Sequence, residues 1–342
     1  MHFESRILWI TFYTSQMMKI SSYWPALRSR LSGDLIKSEF YVNHGGREVP
    51  NRFALLDAGQ LPRGSYVEIR KQISGCIDLF ALTRENRIAE YGPILIPVYE
   101  NFAHPTTAAL LRTMRYGWVV SWLSSYLSLD ELAEHLAGHL NGNLVDEGDV
   151  LIRYYDPRLL PCFLCHNLLT STKSLMQPVC HWAWWDRTMN LVVYEGNYGK
   201  KSPGVTNTNI REKTRAAMAS FALSDFIHAE LLKGAENEEF STWLPHMISN
   251  AVFAQIEKAR SFGLSLPQDL QLYTSLSLMI HPRFFELSPI FFKNKENIKR
   301  GEVDMATLTL AVDDGEWTRL GSSGRVEIEE LRVAMGDRLC RQ

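Results

Sequence analysis

The chain has 342 residues, 46% of them hydrophobic and 22% charged, which excludes a disordered chain and suits two domains of ordinary size. Thirty-six basic side chains face 38 acidic ones and lie scattered, which excludes bulk attraction to nucleic acid or an anionic membrane. Five cysteines without regular spacing exclude a disulfide framework and fit a reducing compartment, so a cytoplasmic protein is expected.

Residues 1–50 read as an N-terminal extension with a first helix. The apolar run Ile7–Tyr13 is shorter than the roughly 20 residues a membrane span needs. Glu4 precedes it and no small-residue cleavage site follows, so neither a signal peptide nor a span is expected. Met17 and Met18 offer alternative starts, with residues 1–16 an upstream extension. A short helix over Tyr23–Leu31 stops at Ser32-Gly33, and His44-Gly45-Gly46 marks a turn.

Arg52–Asp57 is an apolar run that predicts a buried strand, followed by a loop over Gly59–Gly64 and a helix over Tyr66–Ile73. Strands are predicted at Ile94–Tyr99, after the Gly92-Pro93 breaker, and at Trp118–Leu123, after a helix over Thr106–Arg115. The second of these is apolar on both faces, as in a sheet covered on both sides. Ser128 and Glu131 form a capping box for a helix carrying Leu129, Leu132, Leu136 and Leu140, which Asn141-Gly142 ends. Val150–Tyr155 predicts a further strand, halted by Asp156-Pro157, with a helix following through Leu169. His181–Asp186 and Leu191–Glu195 read as an antiparallel pair. Strand and helix alternate over 51–195, which predicts an α/β lobe built on an α+β mixed or largely parallel sheet.

Gly, Asn, Ser, Thr and Pro dominate 196–210, the expected linker. A smaller all-α lobe is expected over 211–320, with helices at Arg211–Lys233, Trp243–Phe262, Asp269–Ile280 and Gly301–Val312. Ser265 and Gln268 suggest a second capping box there. Gly321-Ser-Ser-Gly324 then sets off a charged C-terminal tail over 321–342, helical at Arg325–Leu339.

Cys162-Phe-Leu-Cys165-His166 has the spacing of c-type haem attachment, and with Cys180 it offers a metal-binding module. Leu159, Leu160, Phe163, Leu164 and Leu168 crowd these cysteines, the setting of a buried small hydrophobe, and haem attachment would need export. Cys180 and His181 are strand neighbours that point to opposite faces. No nucleophile elbow, P-loop, HExxH or dinucleotide fingerprint occurs. Asp57 and Asp156 fall at predicted strand ends, where α/β enzymes place catalytic groups, so a hydrolase using both is an alternative expectation; turn capping is the plainer role. In Trp182-Ala-Trp184-Trp185, alternation puts one Trp face in the core and leaves the other for core or partner.

Several segments together resemble a known family. They are Phe53–Ala58, Glu90–Ile96 with Gly92-Pro93, Gly117-Trp118 through Trp122 to Ser124, Leu129–Leu140, Val150–Arg158 and Gln177–Trp185. The most specific is the run Arg153-Tyr154-Tyr155-Asp156-Pro157-Arg158. The sequence departs from the family pattern at Val119 and Gln177, where Gly is common. The segments resemble the type VI secretion effector adaptors, Tap-like chaperones first catalogued as a domain of unknown function. The resemblance implies a non-enzymatic bacterial protein without cofactor or metal. Such a protein binds a cognate effector toxin near its N-terminus and helps mount it on a VgrG or PAAR-type spike. It singles out Asp57, Gly92, Pro93, Trp118, Trp122, Arg153, Tyr155, Asp156, Pro157, Arg158, Trp184 and Trp185 as signature positions, structural or partner-binding. Arg153 is expected to pair with Asp57 or Asp156 and so fix a strand end, or else to touch the effector.

Overall fold

Seven consecutive residues, Asn51–Asp57, open the central sheet as β1, with five of the seven buried. The structure is a computed structural model that describes residues 24–38, 49–61, 63–99, 103–114, 118–144, 148–164, 172–187, 189–196, 208–209, 222–231, 243 and 245–337. The expected extension 1–16, the turn at His44-Gly45-Gly46, most of the linker 196–210, and Cys165-His166 lie outside these residues. The chain divides into two units, Met1–Ala219 and Ser220–Gln342.

In the first unit, β1 is joined by β2 (Ile77–Asp78), β3 (Pro93–Pro97), β4 (Val120–Ser125), β7 (Val179–Trp185) and β8 (Leu191–Glu195). The six strands run in the order β2-β3-β1-β4-β7-β8. Every pairing in this sheet is antiparallel, so the largely parallel arrangement expected from strand–helix alternation is corrected. Strands apolar on both faces report that both faces are covered, and they do not report strand direction. A second sheet holds β5 (Asn141–Leu144), β6 (Gly148–Leu151) and β9 (Thr208–Asn209), where β5 and β9 pair in parallel. Asn141-Gly142, expected to stop a helix, therefore begins a strand. The strand expected over Val150–Tyr155 ends at Leu151, and 153–158 is a turn.

Alternation along the strands sorts the core. Phe53, Leu55, Leu95, Leu123, Trp182 and Trp184 share one buried cluster with Leu132, Leu136, Leu140, Tyr154 and Phe163. Leu132 and Leu136 come from α4 (Leu129–Ala137), which begins at the expected Ser128–Glu131 capping box. On the opposite face Ala54, Leu56, Ile94, Ile96, Trp122 and Trp185 are equally dry. Helices α1 (Trp24–Lys37), α2 (Arg63–Gln72), α3 (Pro105–Thr113), α5 (Leu160–Leu164) and α6 (Thr172–Met176) complete this unit. The first runs past Ser32-Gly33, the stop expected from sequence, and Gly33 has open space around it.

The second unit, as described, is helical: α7 (222–231), α8 (Pro245–Ser261), α9 (Pro267–Met279), three short helices α10 (Phe284–Leu287), α11 (Pro289–Lys293) and α12 (Lys295–Lys299), α13 (Met305–Ala311) and α14 (Asp314–Asp337). Phe262 stacks on Phe285 at 4.6 Å, and Phe284 meets Phe291 edge-on at 5.1 Å. The expected Ser265–Gln268 capping box does not form, since Leu266 takes the N-cap position and Pro267 the first turn. The break expected at Gly321–Gly324 is also absent, and α14 passes straight through it. A Cβ at Gly324 would fall on the Ile280 carbonyl, so the glycine serves close approach of α14 to the α9–α10 turn. No helix among the described residues is long and apolar enough to cross a membrane.

Candidate functional site

The sheet register gathers the signature positions at one end. Asp57 closes β1 opposite Pro93, where β3 starts, and its N–H donates to the Val119 carbonyl just before β4, at 2.8 Å. Trp184 pairs with Ser121, which brings the end of β7 to the same place. Trp118 Nε1 donates to the Asp186 carbonyl at 2.7 Å and ties the start of β4 to the turn after β7. At Gly92 a Cβ would enter the Phe80 ring, so only glycine lets β3 begin there. Phe80 in turn lies edge-on to Tyr155 at 6.1 Å.

The 153–158 turn delivers charge into this end. Arg153 Nη2 donates to Asp57 Oδ2 at 2.9 Å and to Asp156 Oδ2 at 3.4 Å. Arg158 grips Asp156 with both arms, Nε to Oδ1 at 3.0 Å and Nη2 to Oδ2 at 2.8 Å, and its backbone N–H adds a third bond to Oδ1 at 3.0 Å. Gln60 Nε2 donates to Asp57 Oδ2 at 2.6 Å. Arg187 Nη1 donates to the Arg158 carbonyl at 2.6 Å. Pro157 follows the aspartate, and the Asp156 carbonyl accepts from Leu159 and Leu160 at 2.9 Å, which starts α5. Two carboxylates and two guanidiniums thus form a charge-balanced quartet that joins β1, the turn and the β7–β8 connection.

Burial is unequal within it. Asp57 and Asp156 are each 1% exposed, whereas the Arg153 side chain is 42% exposed and Arg158 17%. Burial raises the Asp57 pKa above the ordinary carboxylate value, with Arg153 pulling against it. Burial would do the same to Asp156, but Arg158 and Arg153 together hold it down at about 2. Tyr155 is pushed up, first by burial and then by Asp57, so its hydroxyl stays protonated. The Arg153 guanidinium lies 5.7 Å from the Tyr155 ring centroid. Among the described residues, the buried Asp57 Oδ1 and Arg153 Nε find no hydrogen-bond partner.

Asp57 and Asp156 therefore converge on one guanidinium, as the hydrolase expectation required, and Asp156 also takes the expected capping role by accepting from the Arg158 backbone N–H. The Arg153 pairing expected as alternatives is made to both partners at once. Trp122, Trp184 and Trp185 are fully buried in the sheet, with Trp122 and Trp185 edge-on at 6.3 Å. Sequence reasoning missed Gln60 and Arg187. Gln60 stands three residues after Asp57, one 3-10 turn on, a spacing that suits such a bond. Nothing in the local sequence singles out Arg187.

The cysteine site gains no geometry. Cys162 and Cys180 are buried on α5 and β7, and burial pushes the Cys180 thiol up to about 11, away from thiolate chemistry. His181 faces away from it and meets Ser124 Oγ through Nδ1 at 3.2 Å. No group of three or more His, Cys, Asp or Glu among the described residues is placed to hold a metal ion.

Compared with protein-family models, residues 52–184 match a domain of unknown function (DUF4123). Comparisons with curated proteins and with solved structures give no match. The matched span starts in β1, ends in β7 and contains Asp57, Arg153, Asp156 and Arg158, so the quartet lies inside it.

Proposed function

We propose that this chain is a non-enzymatic adaptor that binds a cognate type VI secretion effector toxin, near the toxin's N-terminus, and promotes its mounting on a VgrG or PAAR-type spike protein. The reading rests on the match of residues 52–184, together with the sequence resemblance to effector adaptors over the same stretch. The side-chain geometry supports it. The charged signature residues brace one another, with both carboxylates closed to solvent. An adaptor needs a rigid frame of this kind so that its binding surface is formed in advance, which reduces the ordering cost of association. No cofactor takes part.

The convergence of Asp57 and Asp156 favours one second reading, a hydrolase in which the two carboxylates, held at different pKa values, divide acid and base roles. The two readings separate on one variant. Asp57→Asn costs stability through the Arg153 brace under either reading, but only a hydrolase loses a turnover in the protein that remains folded. The adaptor itself is tested by co-expressing the full chain with the toxin gene beside its own and purifying through a tag on the chain. Recovery of the toxin or a spike protein in stoichiometric amount is expected, and failure to recover either from soluble, folded protein contradicts the reading.

A further inference from the structure

Strand β8 is the outer strand of the six-stranded sheet, and its sequence is Leu-Val-Val-Tyr-Glu. Its phase against β7 is fixed by two bonds at the ends of the ladder. The Asp186 N–H donates to the Asn190 carbonyl at 2.9 Å, and the Gly196 N–H donates to the Cys180 carbonyl at 2.8 Å. Hydrogen-bonded pairs alternate along an antiparallel ladder. Val192 opposite Trp184 and Tyr194 opposite Trp182 therefore turn their backbone groups inward to β7. Leu191 and Val193 turn theirs outward, and no strand among the described residues takes them up.

The side chains repeat this incompleteness. Leu191, Val192, Val193 and Tyr194 are all half-buried, although they alternate between the two faces of the sheet. Val192 and Tyr194 lean on the main core, whereas the residues they pair with on β7 are fully buried. Each face thus thins out at β8, where one further strand would close both. Edge strands are commonly protected by charged side chains, Pro or a bulge; on β8 the exposed Glu195 at its end is the one such residue, and Leu191–Tyr194 carry none.

We propose that the outer edge of β8 is a strand-addition site that takes an extended segment of a client chain, with apolar side chains at alternate positions. This proposal rests on the adaptor reading and names where the client is held. Outward amides and carbonyls would supply register and affinity, and the half-covered Leu191, Val193, Val192 and Tyr194 would receive the apolar side chains on either face. A client strand fits better than a second copy of β8. The strand has only five residues, and pairing with itself would bury far less than the roughly 1,000 Å² a specific interface needs. A client segment continues beyond the edge and has no such limit.

The test uses the Val193→Pro variant of the full chain. The Val193 N–H points outward, so proline there removes no bond to β7 and is tolerated at an edge, but it blocks an added strand. The variant is co-expressed with each effector toxin of the same genome, and affinity for the toxin that the wild type retains is measured. Losing the outward Val193 N–H donor, with the proline ring standing where the added strand would pair, predicts binding about tenfold weaker. The Val193→Lys variant should weaken it likewise, and hydrogen exchange should show Leu191 and Val193 amides protected only when the toxin is bound. Unchanged affinity in both variants, with the toxin still held by the wild type, overturns the strand-addition site and leaves the adaptor reading standing. So does a change in oligomeric state in place of toxin loss, which would make a second copy the occupant. If the wild type retains no toxin, the adaptor reading fails and this proposal with it.

Discussion

Replacing Arg153 with Met removes the guanidinium that two buried carboxylates share. Asp156 keeps Arg158, with three bonds of 2.8–3.0 Å, so it loses the weaker of its cationic partners. Among the described residues Asp57 keeps the Gln60 hydrogen bond and the more distant pull of Arg158, and it is 1% exposed. Breaking a fully buried pair costs about 3–5 kcal/mol because one charge is left uncompensated. The Arg153 side chain is 42% exposed, and water already screens part of its attraction. The expected loss is therefore about 2–3 kcal/mol, read at neutral pH as a lower urea midpoint with unchanged slope. The loss should depend on pH. Burial raises the folded Asp57 pKa above its unfolded value, and removing Arg153 raises it further, so the folded variant favours the protonated acid. Such a group contributes stability below the unfolded pKa and loses it as pH rises through the folded one. The variant should thus lie nearest the wild type at mildly acidic pH and fall away towards neutral. Adding Asp57→Asn should recover most of the loss at neutral pH, because it removes the stranded charge. A cost below about 0.5 kcal/mol, the scale of an ordinary surface change, or a double variant no better than Arg153→Met alone, would refute the brace.

Acid should also weaken the protein through α4. His135 Nε2 donates to the Leu175 carbonyl at 3.0 Å, and His139 Nδ1 donates to the His135 carbonyl at 2.9 Å, leaving its Nε2 to accept from Ser174 Oγ at 3.1 Å. Burial lowers both pKa values, that of His135 from 6.5 to about 4. The unfolded chain binds these protons first, so stability present above pH 6.5 drains away towards pH 4, by about 3 kcal/mol for His135 alone. Urea midpoints across this range should slope down in the wild type and less steeply in His135→Gln, and equal slopes would contradict the assignment. Gly324→Ala should cost at least about 1–3 kcal/mol, because the new methyl meets the Ile280 carbonyl backbone. Gly321→Ala, with open space around it in the same helix, should gain about 0.5–1 kcal/mol, and thermal melts of the pair separate contact from propensity. Asp156 is held at about 2 by Arg158 and Arg153, so its stabilisation should persist to about pH 4 and be lost as pH falls towards 2. Arg158→Gln raises the folded Asp156 pKa towards its unfolded value, so the acid loss below pH 4 should shrink and the stability at neutral pH should fall, read from urea midpoints across that range.

The apolar runs located β1, β3, β4 and β7 because burial on both faces leaves a continuous hydrophobic signature, and Leu191–Glu195 showed β8 although it is only half-buried. The Ser128 capping box fixed the start of α4 because its bonds are local. Direction and partner order were legible only for β7 and β8, whose short connection makes them an antiparallel pair; elsewhere no residue type encodes whether a strand returns parallel or antiparallel. The run after Leu151 misled for a related reason. Ile152, Tyr154 and Tyr155 are as apolar as a strand, yet what holds them is the Asp156 turn and the contact of Arg153 with Asp57, 96 residues away in sequence. Gly324 likewise reads as a helix breaker in sequence, and only packing shows it as a contact point. Of the site, Asp57, Arg153 and Asp156 stood out from the residues and the resemblance. Arg187 did not, since its role depends on which carbonyl the β7–β8 turn happens to face.

The central claim is that this chain acts by holding a client and not by turning over a substrate, and the most direct measurement is effector delivery from cells lacking its gene. The cognate toxin should disappear from the secreted fraction and its level inside the cell should fall, while the spike protein is still exported. Re-expression of the wild-type chain should restore delivery. Undiminished delivery of every effector without the gene would contradict the claim.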